Sequence, residues 1–353
     1  MRAAIASIGY FVPPHAVSSS NLARRLEVTD DWIQSRTGIR ERRVASTGGV
    51  SELIAPAAVQ CLQRRGIGAD SVDCIIVATT TPDYAFPPTA AIVQRKIGAG
   101  GAWGFDLSAA CSGFAYALVV GEGLIASGRA RRVLLCAAER MSSITNPDDR
   151  GTAIIFGDAA TAVLLEAVDD AEGGSIDNVC RTDPVDEKLL YLPAGGSARP
   201  ASLESVLQHE HYIVQDGAAV FRAAVEGMSG ITRALLERNG LEVEDIDWFV
   251  PHQANRRIID AVARRLGVPD DRLACNIEHY GNTAATSIPL CLAEWYERGS
   301  LRRGDSVVLT SFGAGFTMSA VYLRWTMAPL RRAAPEQSPV RALAGERMRV
   351  ATT

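Results

Sequence analysis

The chain repeats itself. Residues 66–77 read GIGADSVDCIIV and residues 240–250 read GLEVEDIDWFV. Both have a Gly, an aliphatic residue, an acidic stretch and an aliphatic–Asp pair leading into an apolar run, and each follows an amphipathic helical pattern, at 52–65 and 225–239. A second echo sets SGRARR (127–132) and GSLRRG (299–304) before the apolar runs 133–136 and 307–309. A third pairs Phe156-Gly157 with Phe312-Gly313, each between apolar strands. A helix, a Gly, an Asp and a strand are a common succession in α/β proteins. Three matches in one order favour duplication of an α/β unit.

The rest of the pattern agrees. Short apolar runs at 74–79, 102–107, 133–137, 162–165, 248–251, 307–310 and 320–323 read as buried strands. Helical patterns at 52–65, 89–97, 113–127, 220–239, 254–266 and 288–297 lie among them, so the expectation is a layered α/β fold. Residues 1–167 and 216–327 form the two halves, and 168–215, with Pro184, Pro193, Gly195, Gly196 and Pro200, reads as connecting and covering loops. Residues 328–353 hold three prolines and no apolar face, and read as a disordered tail.

Composition removes several classes of function. A formal charge of −4 gives no reason to expect nucleic acid. No apolar run reaches the roughly 18 residues of a membrane span, and the N-terminal stretch is too short to be a signal peptide. Seven Cys, at 61, 74, 111, 136, 180, 275 and 291, include no CxxC pair. That argues against a disulfide framework or a zinc site, and for a reducing cytoplasm.

Four positions carry chemistry. The run 102–107 ends in Ser108-Ala109-Ala110-Cys111-Ser112-Gly113-Phe114, and a helical pattern follows. Cys111 is then either a small packing residue or a nucleophile whose pKa is lowered by a helix N-terminus. Pro251-His252-Gln253-Ala254-Asn255 follows a strand at the sheet rim, where ligands bind in open α/β folds; His252 is a reacting group or a cap. In 279–287, HYGNTAATS, Asn282 or Ser287 is a helix cap, or Asn282 is a neutral donor of the site. SFGAGF at 311–316 is a tight turn or a source of a backbone N–H for an oxyanion. A Cys with a distant His suggests covalent catalysis. The local motif of a papain-like protease is absent, and Asn282 as a second neutral donor suits a thioester enolate better than peptide hydrolysis.

With these motifs in view, residues 1–326 resemble the β-ketoacyl-acyl carrier protein synthase III family of the thiolase-like superfamily. The resemblance is carried by DWIQSRTGIRER (31–42), TPDYAFP (81–87), AACSGFAYAL (109–118), DRGTAIIFGDAA (149–160), PHQANRRI (251–258), HYGNTAATS (279–287) and SFGAGFT (311–317). It implies a thiolase-like fold, with two duplicated βαβαβ-type halves in a five-layer α-β-α-β-α arrangement, and a homodimer. It implies that Cys111 takes an acyl group from acyl-CoA, and that His252 and Asn282 then hold the malonyl-acyl carrier protein thioester during decarboxylation. The backbone N–H groups of Cys111 and Ala314 would form the oxyanion hole. Trp32 and Arg150 would sandwich the CoA adenine, with Arg36 near the phosphate and Phe156, Gly217, Phe221 and Asn255 along the pantetheine tunnel. Phe86 would reach the partner subunit's acyl pocket. Gln253, Arg256, Arg257, Arg264 and Arg265 would dock the carrier protein, although the arginines alone also suit a plain solvated face. No metal or cofactor is implied beyond the CoA and carrier substrates. The chain departs from the family where Ala314 replaces a frequent Gly, and where Met318-Ser319 replaces Trp-Gly at the expected floor of the acyl pocket.

Two other activities compete with this one. A relative of the same superfamily could keep the acyl-Cys but join two acyl chains, close a ring or transfer the acyl group to another acceptor. A non-catalytic acyl-binding subunit would have no need for Cys111, His252 and Asn282. A hydroxymethylglutaryl-CoA synthase would need a further catalytic Glu in a matching motif, and none is evident.

Overall fold

The computed structural model describes residues 2–169 and 173–328. The first half contributes β1 (Arg2–Phe11), a short ribbon of β2 (Ala16–Ser18) and β3 (Glu41–Arg43), then β4 (Cys74–Ala78), β5 (Trp103–Leu107), β6 (Arg132–Arg140) and β7 (Asp158–Val168). The second contributes β8 (Gly174–Thr182), a two-residue ribbon of β9 (Leu190–Tyr191) and β10 (Val214–Gln215), then β11 (Trp248–Pro251), β12 (Ser306–Gly313) and β13 (Thr317–Arg324). The first sheet runs β1-β7-β6-β4-β5 and the second β8-β13-β12-β11. In the first, β6, β4 and β5 are parallel to one another and β7 is antiparallel to both β1 and β6; in the second, β11 and β12 are parallel and β13 is antiparallel to both β12 and β8.

The strands alternate between two cores because successive side chains point to opposite faces. Ile76, Ala78, Val133, Leu135, Val307 and Leu309 point into the central core, where the helices Gly113–Ala126 and Ser287–Glu297 lie between the sheets. Ile75, Val77, Leu134 and Cys136 point outward, against Val50–Arg65 and Thr89–Ile97. Val308, Phe312 and Ala320 face Gly217–Asn239 and Arg256–Leu266 on the far side. Both faces of each sheet are therefore dry, which is why the sequence shows continuous apolar runs rather than an in–out alternation. Five layers result: helices, sheet, helices, sheet, helices.

The duplication is real, with two amendments. The fifth strand of the first sheet, β5, survives in the second only as a single parallel bridge from Phe249 to Leu273. The third echo is not equivalent in space, since Phe312-Gly313 ends β12 whereas Phe156 precedes β7 and bridges to Asn282. Residues 168–215, expected as loops, contain β8, a nine-residue strand of the second sheet. Its half-polar sequence, GSIDNVCRT, conceals it, because β8 is an edge strand with an exposed end. β1 carries a weaker strand signal than the other strands because its run RAAIASIGYF is rich in small residues rather than β-branched ones. Of the expected tail, residues 329–353 lie outside the described residues.

Candidate active site

Cys111, His252 and Asn282 come from three separate loops and line one cavity of about 650 Å³. Cys111 sits in the turn Ala110–Ser112 that joins β5 to the helix Gly113–Ala126. Ala110 before it has φ +46°, a left-handed backbone unusual for a residue with a Cβ, and this turns the thiol out of the sheet toward the cavity. The turn is clamped from the other half: Thr317 Oγ1 donates to the Ala109 carbonyl at 2.9 Å, and Ser112 Oγ donates to the Thr317 carbonyl at 3.1 Å.

Cys111 does not have the lowered pKa expected from its place at a helix start. Burial pushes the thiol up to about 12, with a further contribution from the Glu139 carboxylate. Desolvation outweighs the helix-end effect here. Glu139 is the next-to-last residue of β6, is fully buried, and is itself raised to about 7 by burial. It accepts hydrogen bonds from the Thr80 N–H and the Thr80 and Thr81 hydroxyls at 2.8–3.1 Å. Sequence reading passed over it; the available signal was a lone acid ending a seven-residue buried run of that strand.

His252 follows β11, and burial lowers its pKa to about 3, so the imidazole is neutral at physiological pH. Nδ1 lies 2.7 Å from Ser287 Oγ. Asn282 Oδ1 accepts the N–H of Ala284 at 2.8 Å. That bond fixes the amide orientation and leaves the NH₂ group as the free donor. Neither Asn282 nor Ser287 caps a helix here, since the N-cap positions are Thr283 and Thr286; Asn282 instead closes a turn with its oxygen and lines the cavity.

Ala314 also lines the cavity. Neither its backbone N–H nor that of Cys111 donates to a backbone carbonyl outside its own element. The loop that carries Ala314 is pinned by paired backbone bonds between Phe316 and Asp183 at 2.7 and 2.8 Å. Gly313 must lack a side chain, since a Cβ there would lie 2.7 Å from the Cys111 nitrogen. Met318 does not form the cavity floor. It packs behind Phe312, against Gly227, in the outer core, because its place on β13 turns it away from the cavity.

Every residue expected to meet CoA lines this cavity: Trp32, Arg36, Arg150, Phe156, Gly217, Phe221 and Asn255. The Arg36 guanidinium lies 4.2 Å from the centre of the Trp32 ring, so one indole face is already covered. Arg150 is paired with Glu27 at 3.7 Å. Asn255 uses its side chain twice, accepting the Arg257 N–H and donating to the Arg36 carbonyl.

One docking expectation fails within this chain. Gln253, expected to dock a carrier, is 1% exposed; its amide is spent on the carbonyls of Pro251 and Ala274 and on the Asn276 N–H. Position 253 points inward because the turn after β11 reverses the chain before the helix begins. Phe86, expected to reach a partner subunit's acyl pocket, is 85% exposed and lies outside the cavity of its own chain. Arg256, Arg257, Arg264 and Arg265 are all exposed. Arg256 is paired with Asp260, and Arg257 lies over the Phe221 ring at 5.6 Å, on the cavity wall.

Residues 105–184 match the family model described as 3-oxoacyl-[acyl-carrier-protein] synthase III, and residues 236–325 match its C-terminal counterpart. The chain is 48% identical over 328 residues to the β-ketoacyl-[acyl-carrier-protein] synthase III of Chlorobaculum tepidum, covering 92% of this chain and 100% of that one. The chain belongs to the β-ketoacyl-acyl carrier protein synthase III family. Members of this family are ketosynthases, that is, acyltransferases. Among solved structures it is similar to 3-oxoacyl-acyl carrier protein synthase III from Pseudomonas aeruginosa, at 39% identity and a TM-score of 0.87, covering 93% and 99% of the two chains. It is also similar to the priming β-ketosynthase of a polyketide biosynthetic pathway, at 32% identity and a TM-score of 0.85, covering 93% and 97%. The expected thiolase-like architecture is the one these relatives share.

Proposed function

We propose that the chain joins an acyl-CoA primer to malonyl-acyl carrier protein by decarboxylating Claisen condensation. The observation that carries this reading is one cavity holding a thiol, two neutral hydrogen-bond donors and two backbone N–H groups. Cys111 sulfur attacks the primer thioester; the new C–S bond forms, the old one breaks, and the thiol proton ends on CoA. A raised thiol pKa beside a neutral imidazole means no standing thiolate–imidazolium pair, so the proton leaves Cys111 as the bond forms.

Malonyl-carrier thioester then takes the place of CoA. Its C–CO₂ bond breaks and the electron pair moves into an enolate, whose oxygen receives hydrogen bonds from His252 and Asn282. Neutral donors aimed at a developing charge in a dry site are the main catalytic device of this step. The enolate carbon attacks the acyl carbon, the oxyanion is held by the N–H groups of Cys111 and Ala314, and the C–S bond breaks. A proton from solvent restores the thiol. No metal or cofactor is needed in this sequence.

CoA enters past Trp32, Arg36 and Arg150. We assign the carrier to the exposed arginines of the helix Arg256–Leu266, since carrier proteins are acidic and a basic rim steers them. The protein works as a homodimer in this reading. β5 is an edge strand with Trp103 47% exposed, and Tyr84 and Phe86 stand out from the preceding loop, a combination that calls for cover. Seven unpaired cysteines suit the cytoplasm, and among the described residues no helix is long and apolar enough to cross a membrane.

The test is intact-mass measurement across acyl-CoAs, followed by malonyl-carrier protein with labelled carboxylate. Wild type should gain one acyl group and then release CO₂ with formation of a 3-oxoacyl-carrier. Cys111→Ala should gain none. An acyl adduct that never triggers CO₂ release would favour transfer to a different acceptor instead.

A further inference from the structure

We propose that Ser287 is a positioning residue that holds His252 in the tautomer with its proton on Nε2. Ser287 is the first residue of the helix Ser287–Glu297 and is buried, as is His252. Its Oγ lies 2.7 Å from His252 Nδ1 and accepts the backbone N–H of Gln253 at 3.2 Å. A hydroxyl has one proton and two lone pairs. With one lone pair occupied by the Gln253 N–H, the hydroxyl either gives its proton to Nδ1 or accepts a proton from it. Accepting would leave the hydroxyl proton to find another partner, and Ser287 Oγ makes no hydrogen bond among the described residues besides these two. An orphaned donor at a buried site is costly, so the proton goes to Nδ1. Nδ1 is then the acceptor, and Nε2 carries the hydrogen.

The buried Gln253 is part of this device. Its side chain donates to the Pro251 and Ala274 carbonyls at 2.7 and 3.3 Å and accepts the Asn276 N–H at 3.0 Å. The backbone at 252 is tied to Thr310 by a 2.8 Å bond. The N–H that occupies the Ser287 lone pair therefore has little room to move. Burial keeps the ring neutral, so the choice between tautomers is the remaining freedom, and Ser287 removes it. The Nε2–H group is what a donor to the enolate oxygen must be.

The inference rests on the donor role of His252 proposed above, and the two are separable by experiment. Long-range ¹H–¹⁵N correlation on histidine-labelled protein reads the ring directly, without turnover, and subtracting the His252→Gln spectrum assigns it among five histidines. Wild type should show a pyridine-type Nδ1 and a pyrrole-type Nε2. Ser287→Ala should mix the tautomers and slow malonyl decarboxylation about tenfold, in proportion to the lost competent fraction. Ser287→Thr should restore both. A wild-type ring protonated on Nδ1 overturns the proposal even if Ser287→Ala fails to fold. So does a Ser287→Ala ring unchanged in the spectrum, whatever its rate. A wild-type Nε2–H ring, with His252→Ala decarboxylating at the normal rate, supports the tautomer and removes the donor role instead.

Discussion

Ala110 and Ala284 hold the same left-handed backbone, φ +46° in each, at the head of the short turns that lead into the two central helices. Each opens a three-residue turn, Ala110–Ser112 or Ala284–Thr286, that runs directly into Gly113–Ala126 or Ser287–Glu297. The two turns are counterparts across the duplication. Cys111 in one corresponds to Ala285 in the other. The chain has kept a strained turn in both copies and placed a nucleophile in only one, while the second copy supplies Asn282 and Ser287 nearby.

Adding one methyl group to this arrangement tests the oxyanion hole. Gly313→Ala places a Cβ 2.7 Å from the Cys111 nitrogen and 3.0 Å from Thr317 Oγ1, so either the turn shifts or the N–H is blocked. Acylation of Cys111 should slow by about 10²-fold or more, the usual loss for one oxyanion donor, and the melting temperature should fall as the backbone turn gives way. Stopped-flow measurement of CoA release reads it, and a normal rate would remove Cys111 N–H from the hole.

The two side-chain donors should separate the half-reactions. His252→Ala and Asn282→Ala are expected to accept an acyl group but to lose about 10²–10³ in malonyl decarboxylation. Labelled CO₂ release is the measurement. A mutant that releases CO₂ at the wild-type rate loses its assigned role.

Glu139 offers a test in pH. Its carboxylate raises the Cys111 pKa, and its own value of about 7 means that this influence exists above neutrality and fades below it as the carboxyl takes up a proton. Glu139→Gln should lower the thiol pKa, so iodoacetamide should alkylate Cys111 faster than in wild type at pH 8–9. The two proteins should converge as the pH falls below about 6. Equal rates across the range would show that the charge does not reach the thiol.

The arginine face divides once its geometry is known. Arg264→Glu with Arg265→Glu should raise KM for malonyl-carrier protein several-fold, leave KM for acyl-CoA near normal, and have its effect shrink with salt. Arg257→Ala should raise both KM values, because Arg257 also lines the cavity beside Phe221. Equal KM changes for both substrates in the Arg264/Arg265 variant would reduce that pair to a solvated face.

What was legible in the sequence was whatever local pattern controls. Fully buried strands such as Cys74–Ala78 and the helix Thr89–Ile97 were readable because nothing but burial decides them. Cys111, His252 and Asn282 stood out because each lies where a strand or loop meets a helix. What stayed hidden depends on partners far along the chain. The burial of Gln253 is decided by Pro251, Ala274 and Asn276 closing around its amide. The raised thiol pKa follows from enclosure by both halves, which no spacing rule records. Ser287 read as a cap candidate, and only the contact with His252 makes it more.

Cys111 follows a strand of the first sheet, His252 follows a strand of the second, and Asn282 ties its own half to Phe156 of the other, so their separation is set by how the halves meet. At that seam Gly113 has no side chain, and a Cβ there would stand 3.3 Å from the Cβ of Ala285 and 3.2 Å from that of Ala78. The seam acts as a spacer one methyl group thick. Neither half can drift through sequence change independently of the other, and a gene that recombines halves from two relatives inherits its reaction geometry from the fit at Gly113 and Ala285 as much as from its catalytic side chains.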